Sequence, residues 1–316
     1  MKRSIIILCA VLLTLTFGVG NVLAQEKWAL GCSGAGSGPY VWGAAISKYL
    51  NKHQNAVRFS AQASAGYNEN VALVSAGKME VGQQALSGLM DAYTGKMAFK
   101  GHPHKRLKLL FPFVLVPYHL VTREASKITT ISGLKGKKMN VGLPAQITRT
   151  ENEFFLQTAN IKLSDIKMFE MATGQTFKAL QNGVIDATGN FYSSGHGRLL
   201  ELATNTKIRL LSIPDEITEK LNKIRGHFPL TIPANSYRGQ NYPVRTFGLT
   251  NILFVRDDLS EELVYQVTKA FWDSFPQLLK NKAFKELRLK YAYSEKITIP
   301  YHPGALRYYK EINLLK

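Results

Sequence analysis

Residues 107–122 read Leu-Lys-Leu-Leu-Phe-Pro-Phe-Val-Leu-Val-Pro-Tyr-His-Leu-Val-Thr. The run is long and apolar, and Pro112 and Pro117 interrupt it. Proline has no N–H to give to a sheet ladder, so one strand of this length with two internal prolines is disfavoured. A strand leaving one lobe, followed by another entering a second lobe, fits better. A matching apolar run, Arg245 to Val255, follows Pro243 and reads as the return crossing. Two crossings divide the chain into lobe one, residues 25–116 plus 250–316, and lobe two, residues 117–249.

The segments around the crossings alternate strand and helix. Trp28 to Cys32 reads as a strand, Pro39 to Leu50 as a helix, and Val57 to Ala63 as a strand. A helix near Asn68 to Ser75 ends at Gly77. Met79 to Gln83 is a strand, and Ser87 to Tyr93 a helix closed by Gly95. Lobe two continues with strands at Lys138–Val141, Val184–Ala187 and Ile208–Ile213. Its helices are expected at Gly174–Leu180, Gly197–Ala203 and Pro214–Ile224. Thr148 to Glu151 reads as a capping box that opens a helix toward Thr158. Ser260 to Leu279 reads as one long amphipathic helix and Ala283 to Lys290 as a shorter one. This alternation predicts an α/β fold in which each lobe is a mainly parallel sheet with covering helices.

The start of the chain has the layout of a secretory signal. Lys2 and Arg3 precede an uncharged apolar run, Ile5 to Val19, and Val22-Leu23-Ala24 offers small residues before a cut after Ala24. Removing 24 of the 316 residues leaves 292, ample for two lobes. The formal charge of +18 falls to +16 without Lys2 and Arg3. Such a field steers anions, nucleic acid or anionic lipid, or marks only solvated basic faces. The basic residues are scattered, and no nucleic-acid-binding signature accompanies them. Cys9 leaves with the signal, so Cys32 stands alone as a small apolar residue ending the first strand, without an internal disulfide. No cofactor, metal set or nucleophile–base pair is recognisable. His119 reads as a satisfied core histidine.

Several loops precede helices at the expected carboxyl ends of strands, where ligands bind in open α/β sheets. Gly34-Ala35-Gly36-Ser37-Gly38-Pro39-Tyr40 can bring backbone N–H groups and a helix N-terminus to a carboxylate or phosphate; it also reads as a plain tight turn. Ser64 and Asn68 offer hydrogen bonds beside Tyr67, or serve as ordinary caps. Asn190, Phe191 and Tyr192 follow the strand through Asp186 and either wall a pocket or pack at an edge. Arg149, in a first helical turn where a cation is unfavourable, is a candidate carboxylate clamp or an exposed arginine.

Together with Gln62 to Asn70, Leu134 to Gly142, Asn182 to Ala187, Ile232 to Tyr237 and His302 to Glu311, the Gly34–Tyr40 loop resembles the TAXI family of solute-binding proteins. These serve tripartite ATP-independent periplasmic (TRAP) transporters. The resemblance covers nearly all of residues 25–316. It implies closure of two lobes on a small, anionic metabolite, with dicarboxylates or acidic amino acids as the class, and delivery to a cation-gradient-driven integral-membrane TRAP permease. It implies a periplasmic monomer that is a transport subunit, not an enzyme. By position it implies ligand contacts from Gly34, Ala35, Gly36, Ser37, Gly38, Tyr40, Ser64, Tyr67, Asn68, Ala85, Ser87, Ala145, Thr148, Arg149, Asn190, Phe191 and Tyr192. The pocket loops depart from the family pattern at Tyr67, Ala85-Leu86-Ser87, Ala145-Gln146-Ile147-Thr148 and Gly197. A sensor subunit without a permease, an enzyme on the same architecture and a basic surface-binding protein are the alternatives.

Overall fold

The computed structural model describes residues 25–144, 146–281, 284–295 and 297–315. The expected signal, residues 1–24, lies outside them. In chain order the elements are β1 (Glu26–Gly31), α1 (Gly38–His53), β2 (Val57–Gln62), α2 (Tyr67–Ser75), β3 (Val81–Ala85), α3 (Leu86–Thr94) and β4 (Leu107–Arg123). There follow β5 (Lys138–Asn140), α4 (Ile147–Thr158), β6 (Lys167–Phe169), α5 (Thr173–Gln181), β7 (Ala187–Phe191), α6 (Gly197–Asn205) and β8 (Ile208–Leu210). The chain ends with α7 (Asp215–Arg225), β9 (Phe228–Ile232), β10 (Val244–Arg256), α8 (Glu261–Asp273), α9 (Phe275–Leu278) and α10 (Pro303–Glu311).

These strands form one mixed sheet in the order β2-β1-β3-β10-β4-β7-β5-β6, with β8 on β4 and β9 on β10. The pairs β1–β2, β1–β3, β5–β6 and β5–β7 are parallel. The returning strand β10 runs antiparallel to both β3 and β4. Residues 246–255 are buried on both faces, with β3, β4 and β9 pairing the edges, which accounts for the largely apolar composition.

Residues 107–123 are one strand, not two. The prolines survive because both fall where the ladder changes. The β4–β10 register slips between Val114↔Asn251 and Pro112↔Ile252, a bulge beside Pro112. Pro117 opposite Gly248 is the last residue paired with β10, and from Tyr118 the partner is β7. The missing N–H groups are thus not wanted by a regular ladder.

One apolar core draws on residues 28–116 and 252–309, among them Trp28, Phe111, Phe254 and Phe271. Two others draw on residues 118–247, around Tyr118, Phe155 and Phe247 and around Tyr192, Leu199 and Tyr237. His119 is fully buried and satisfied, with Nδ1 2.9 Å from Pro117 O and Nε2 2.9 Å from Tyr237 Oη. Cys32 is buried, and burial pushes its thiol up to about 11.

Other expectations shift. Strand β7 begins where the expected strand ends, so Asn190 and Phe191 lie inside it; the chain first turns through Gly183 at φ 73°. The long C-terminal helix breaks at Ser274, ahead of Pro276, into α8 and α9. No α-helix forms over 284–290, while residues 282 and 283 lie outside the described set. The Thr148–Glu151 capping box does not form: Gln146 occupies the cap position without a side-chain bond.

Candidate functional site

In the first lobe, α1 starts with Ser37, whose Oγ accepts from the Tyr40 backbone N–H at 3.3 Å. Gly34, Ala35, Gly36 and Gly38 before and at this start are exposed. The backbone bond from Ser64 N to Ser33 O, 3.4 Å, lays the second loop beside the first. Gly66 holds φ at 145°, a conformation that side chains with a Cβ rarely adopt, and so turns the chain sharply into α2.

From that start Tyr67 donates its hydroxyl to Asn251 Oδ1 on β10 at 2.7 Å. Burial pushes the Tyr67 hydroxyl well above the ordinary tyrosine range. Asn68 Oδ1 accepts from Gln84 Nε2 at 3.3 Å, and Gln84 Oε1 accepts from the Ala85 backbone at 2.9 Å. Asn251 stands opposite Ala85 in the ladder. Tyr67, Asn68 and Ala85 are therefore brought together around Gln84 and Asn251, two residues that motif reasoning did not single out.

In the second lobe Asn190 is the centre. Its Oδ1 accepts from Thr148 Oγ1 at 3.1 Å, and its Nδ2 donates to Thr173 Oγ1 at 3.2 Å and Tyr192 Oη at 3.0 Å. These bonds gather the starts of α4 and α5 at the end of β7. Thr173 was missed because a threonine opening a helix carries no signal of its own. Phe191 packs against the first-lobe core and also meets Tyr118 and Phe247 in the second. Tyr192 is a core residue more than a pocket wall. It is 5% exposed, and its ring meets His119, Phe177 and His196.

Arg149 is not a free clamp. Its guanidinium is bound by Glu153 on the same helix and by Glu170 just after β6. Two of its N–H groups are so engaged, and the two carboxylates offset its pull on an anion. Ala145 lies outside the described residues.

Ser87 lies buried in the first turn of α3. Its Oγ donates to Glu151 Oε1 on α4 at 2.7 Å. The same carboxylate is held by Arg225 Nη2 at 2.7 Å and stands 2.6 Å from His227 Nε2. Arg225 Nη1 reaches both oxygens of Asp91 on α3, at 2.9 and 3.0 Å. Glu151 and His227 are 1% exposed and Arg225 is 2% exposed. Burial alone would raise the Glu151 carboxyl; His227 and Arg225 outweigh it and hold it down at about 2. At Asp91 burial wins over the pull of Arg225, and its carboxyl is raised.

The sequence pattern that defines the NMT1-like family matches residues 30–312. The chain belongs to that family. Among solved structures, this NMT1-like chain is similar to a Bacillus subtilis protein named as a probable amino-acid ABC transporter extracellular-binding protein, ytmK. The TM-score is 0.53 at 11% identity, over 83% of this chain and 98% of that one. It is also similar to the periplasmic sulfonate-binding protein SsuA from Methylobacillus flagellatus, with TM-score 0.52 at 13% identity over 92% and 88% of the two chains. XAC2383 from Xanthomonas citri, solved with ATP, gives 0.51 at 9% identity over 92% and 96%. At these identities the likeness is one of fold. The NMT1-like chain has the two-lobed periplasmic-binding-protein architecture expected from its two crossings.

Proposed function

We propose that this protein is an exported, periplasmic solute-binding subunit, not an enzyme. It closes two lobes on a small, anionic solute and presents it to a membrane transporter. The observation that carries this reading is the pairing of polar clusters at helix starts. Tyr67, Asn68, Gln84 and Asn251 meet in one lobe, and Thr148, Thr173 and Asn190 in the other. The changes of partner along β4 and β10 support lobe boundaries near residues 117 and 249.

With Arg149 bound by Glu153 and Glu170, the backbone N–H groups of Ala35, Gly36 and Gly38 and the amide and hydroxyl side chains are the groups that would hold a carboxylate or related anion. Solved relatives named for sulfonate and amino-acid binding support the same class of small polar solute. The motif resemblance to TAXI proteins supports a cation-gradient-driven TRAP permease as the partner, and a monomer as the working form.

A thermal-shift screen of residues 25–316 against organic acids, sulfonates, amino acids and sugars tests the binding reading. A solute at 100 times its Kd adds about 2.7 kcal/mol, enough to raise Tm by several degrees. Hits confined to anions are expected. After unfolding and refolding to strip bound solute, silence across the whole screen counts against it. Uptake that collapses with the cation gradient, while ATP is maintained, is the outcome expected for a TRAP partner.

A further inference from the structure

We propose that Ser87 and Asp91, acting on Glu151, Arg225 and His227, form a latch that joins the two lobes before a solute arrives and so sets how tightly the cleft binds. The inference rests on the solute-binding reading above, and it concerns positioning residues that need not touch the solute.

The cluster divides unevenly between the lobes. Glu151, Arg225 and His227 come from the second, from α4 and from the end of α7 and the residue pair beyond it. Ser87 and Asp91 come from α3 in the first. Every bond from Ser87 or Asp91 into the cluster therefore crosses the seam. When the lobes part, Glu151 keeps Arg225 and His227 as partners. Asp91 and one face of Arg225 become free for water. Each lobe stays internally satisfied, which lets the latch open and re-form. A charged group buried without a partner would instead forbid opening.

The seam is also shaped for close approach. Gly226 lies between Arg225 and His227 at φ +67°, and a Cβ there would stand 2.8 Å from Leu86 Cδ2. Leu86 is the residue before Ser87 and is buried. Helix α3 thus meets the end of α7 by an apolar contact at its start and by an ion pair one turn further on. Arg225 is almost wholly buried and Asp91 largely so, and the pair is therefore screened less than a surface pair.

Because a solute needs the joined form, its apparent Kd scales inversely with the joined fraction. A latch variant that lowers that fraction tenfold weakens binding tenfold without altering any solute contact.

Small-angle X-ray scattering of ligand-free residues 25–316 tests this, whatever the solute proves to be. Wild type is expected to keep a compact radius of gyration, on the order of 19 Å for this length, and Asp91→Ala to exceed it by about 1 Å with unchanged circular dichroism. Ser87→Ala is expected to shift in the same direction. A wild type already extended, or two variants that scatter as wild type, overturns the latch. If Asp91→Ala does not fold, Ser87→Ala decides alone, and an unchanged radius there overturns it. Failure of this test leaves the solute screen standing, since that screen reads binding and not shape.

Discussion

Tyr67 and Asn251 are joined by a 2.7 Å hydrogen bond that ties the start of α2 to the strand returning between the lobes. Asn251 is 1% exposed. Removing the hydroxyl leaves a buried amide oxygen without its donor, at a cost of about 1–3 kcal/mol. Tyr67→Phe is expected to lower the unfolding free energy by that amount, read as a lower urea midpoint at unchanged m-value.

Arg149 and Asn190 separate two kinds of role. Asn190 links Thr148, Thr173 and Tyr192, so Asn190→Ala is expected to weaken the best solute from the screen at least tenfold in calorimetry. Arg149 already serves Glu153 and Glu170. Arg149→Ala is expected to change affinity by less than threefold. The reverse order would restore Arg149 as the anion clamp.

His119 gives a pH signature. Burial holds its folded pKa at about 4, below the ordinary 6.5. A depressed value means the unfolded chain takes the proton first, so stability present above pH 6.5 is lost as pH falls toward 4. The contribution is about 3 kcal/mol. His119→Phe is expected to flatten the stability profile between those two pH values, read by denaturant unfolding at each pH.

Glu151 gives a second, lower window. Its folded pKa of about 2 lies below the ordinary 4.5. Its contribution is therefore full above pH 4.5 and disappears as pH falls through 2. Glu151→Gln is expected to remove that acid-side slope and, by leaving Arg225 under-compensated, to cost about 3–5 kcal/mol at pH 7. A neutral profile identical to wild type would contradict the buried cluster.

Cys32 offers the simplest check of the core. It is the sole cysteine of residues 25–316, fully buried, with its thiol pushed up to about 11. It is expected to resist a thiol reagent in buffer and to react completely in denaturant.

Much of the fold was legible because it rests on local rules. Apolar runs, glycines after helices and Pro39 in a first turn mark β10, α3 and α1 within a few residues. Two crossings were legible from composition alone. The single continuous β4 was not, because whether a proline breaks a strand depends on which partner it faces, and that is a long-range fact. The site was less legible for the same reason. Ser64, Tyr67 and Asn68 could be placed from the loop before a helix. Glu151 reads as a cap partner three positions from Thr148, since spacing cannot show that Arg225 and His227, more than 70 residues on, claim its carboxylate. Gln84 and Asn251 gave no signal because a polar residue inside an apolar strand is legible only once its neighbours are known.

The place of β10 in the sheet has a consequence for the order of assembly. A chain made from its amino end completes residues 118–232, with β5 to β8 and most of their two cores, while β3 and β4 still lack the neighbour that fits between them. That neighbour is residues 244–256. The middle of the polypeptide can therefore settle first, as an insert, whereas the lobe containing the first residues is finished last. A nascent chain stalled before residue 244 exposes the edges of β3 and β4 together, the form most open to capture by a chaperone or to mispairing with a second chain.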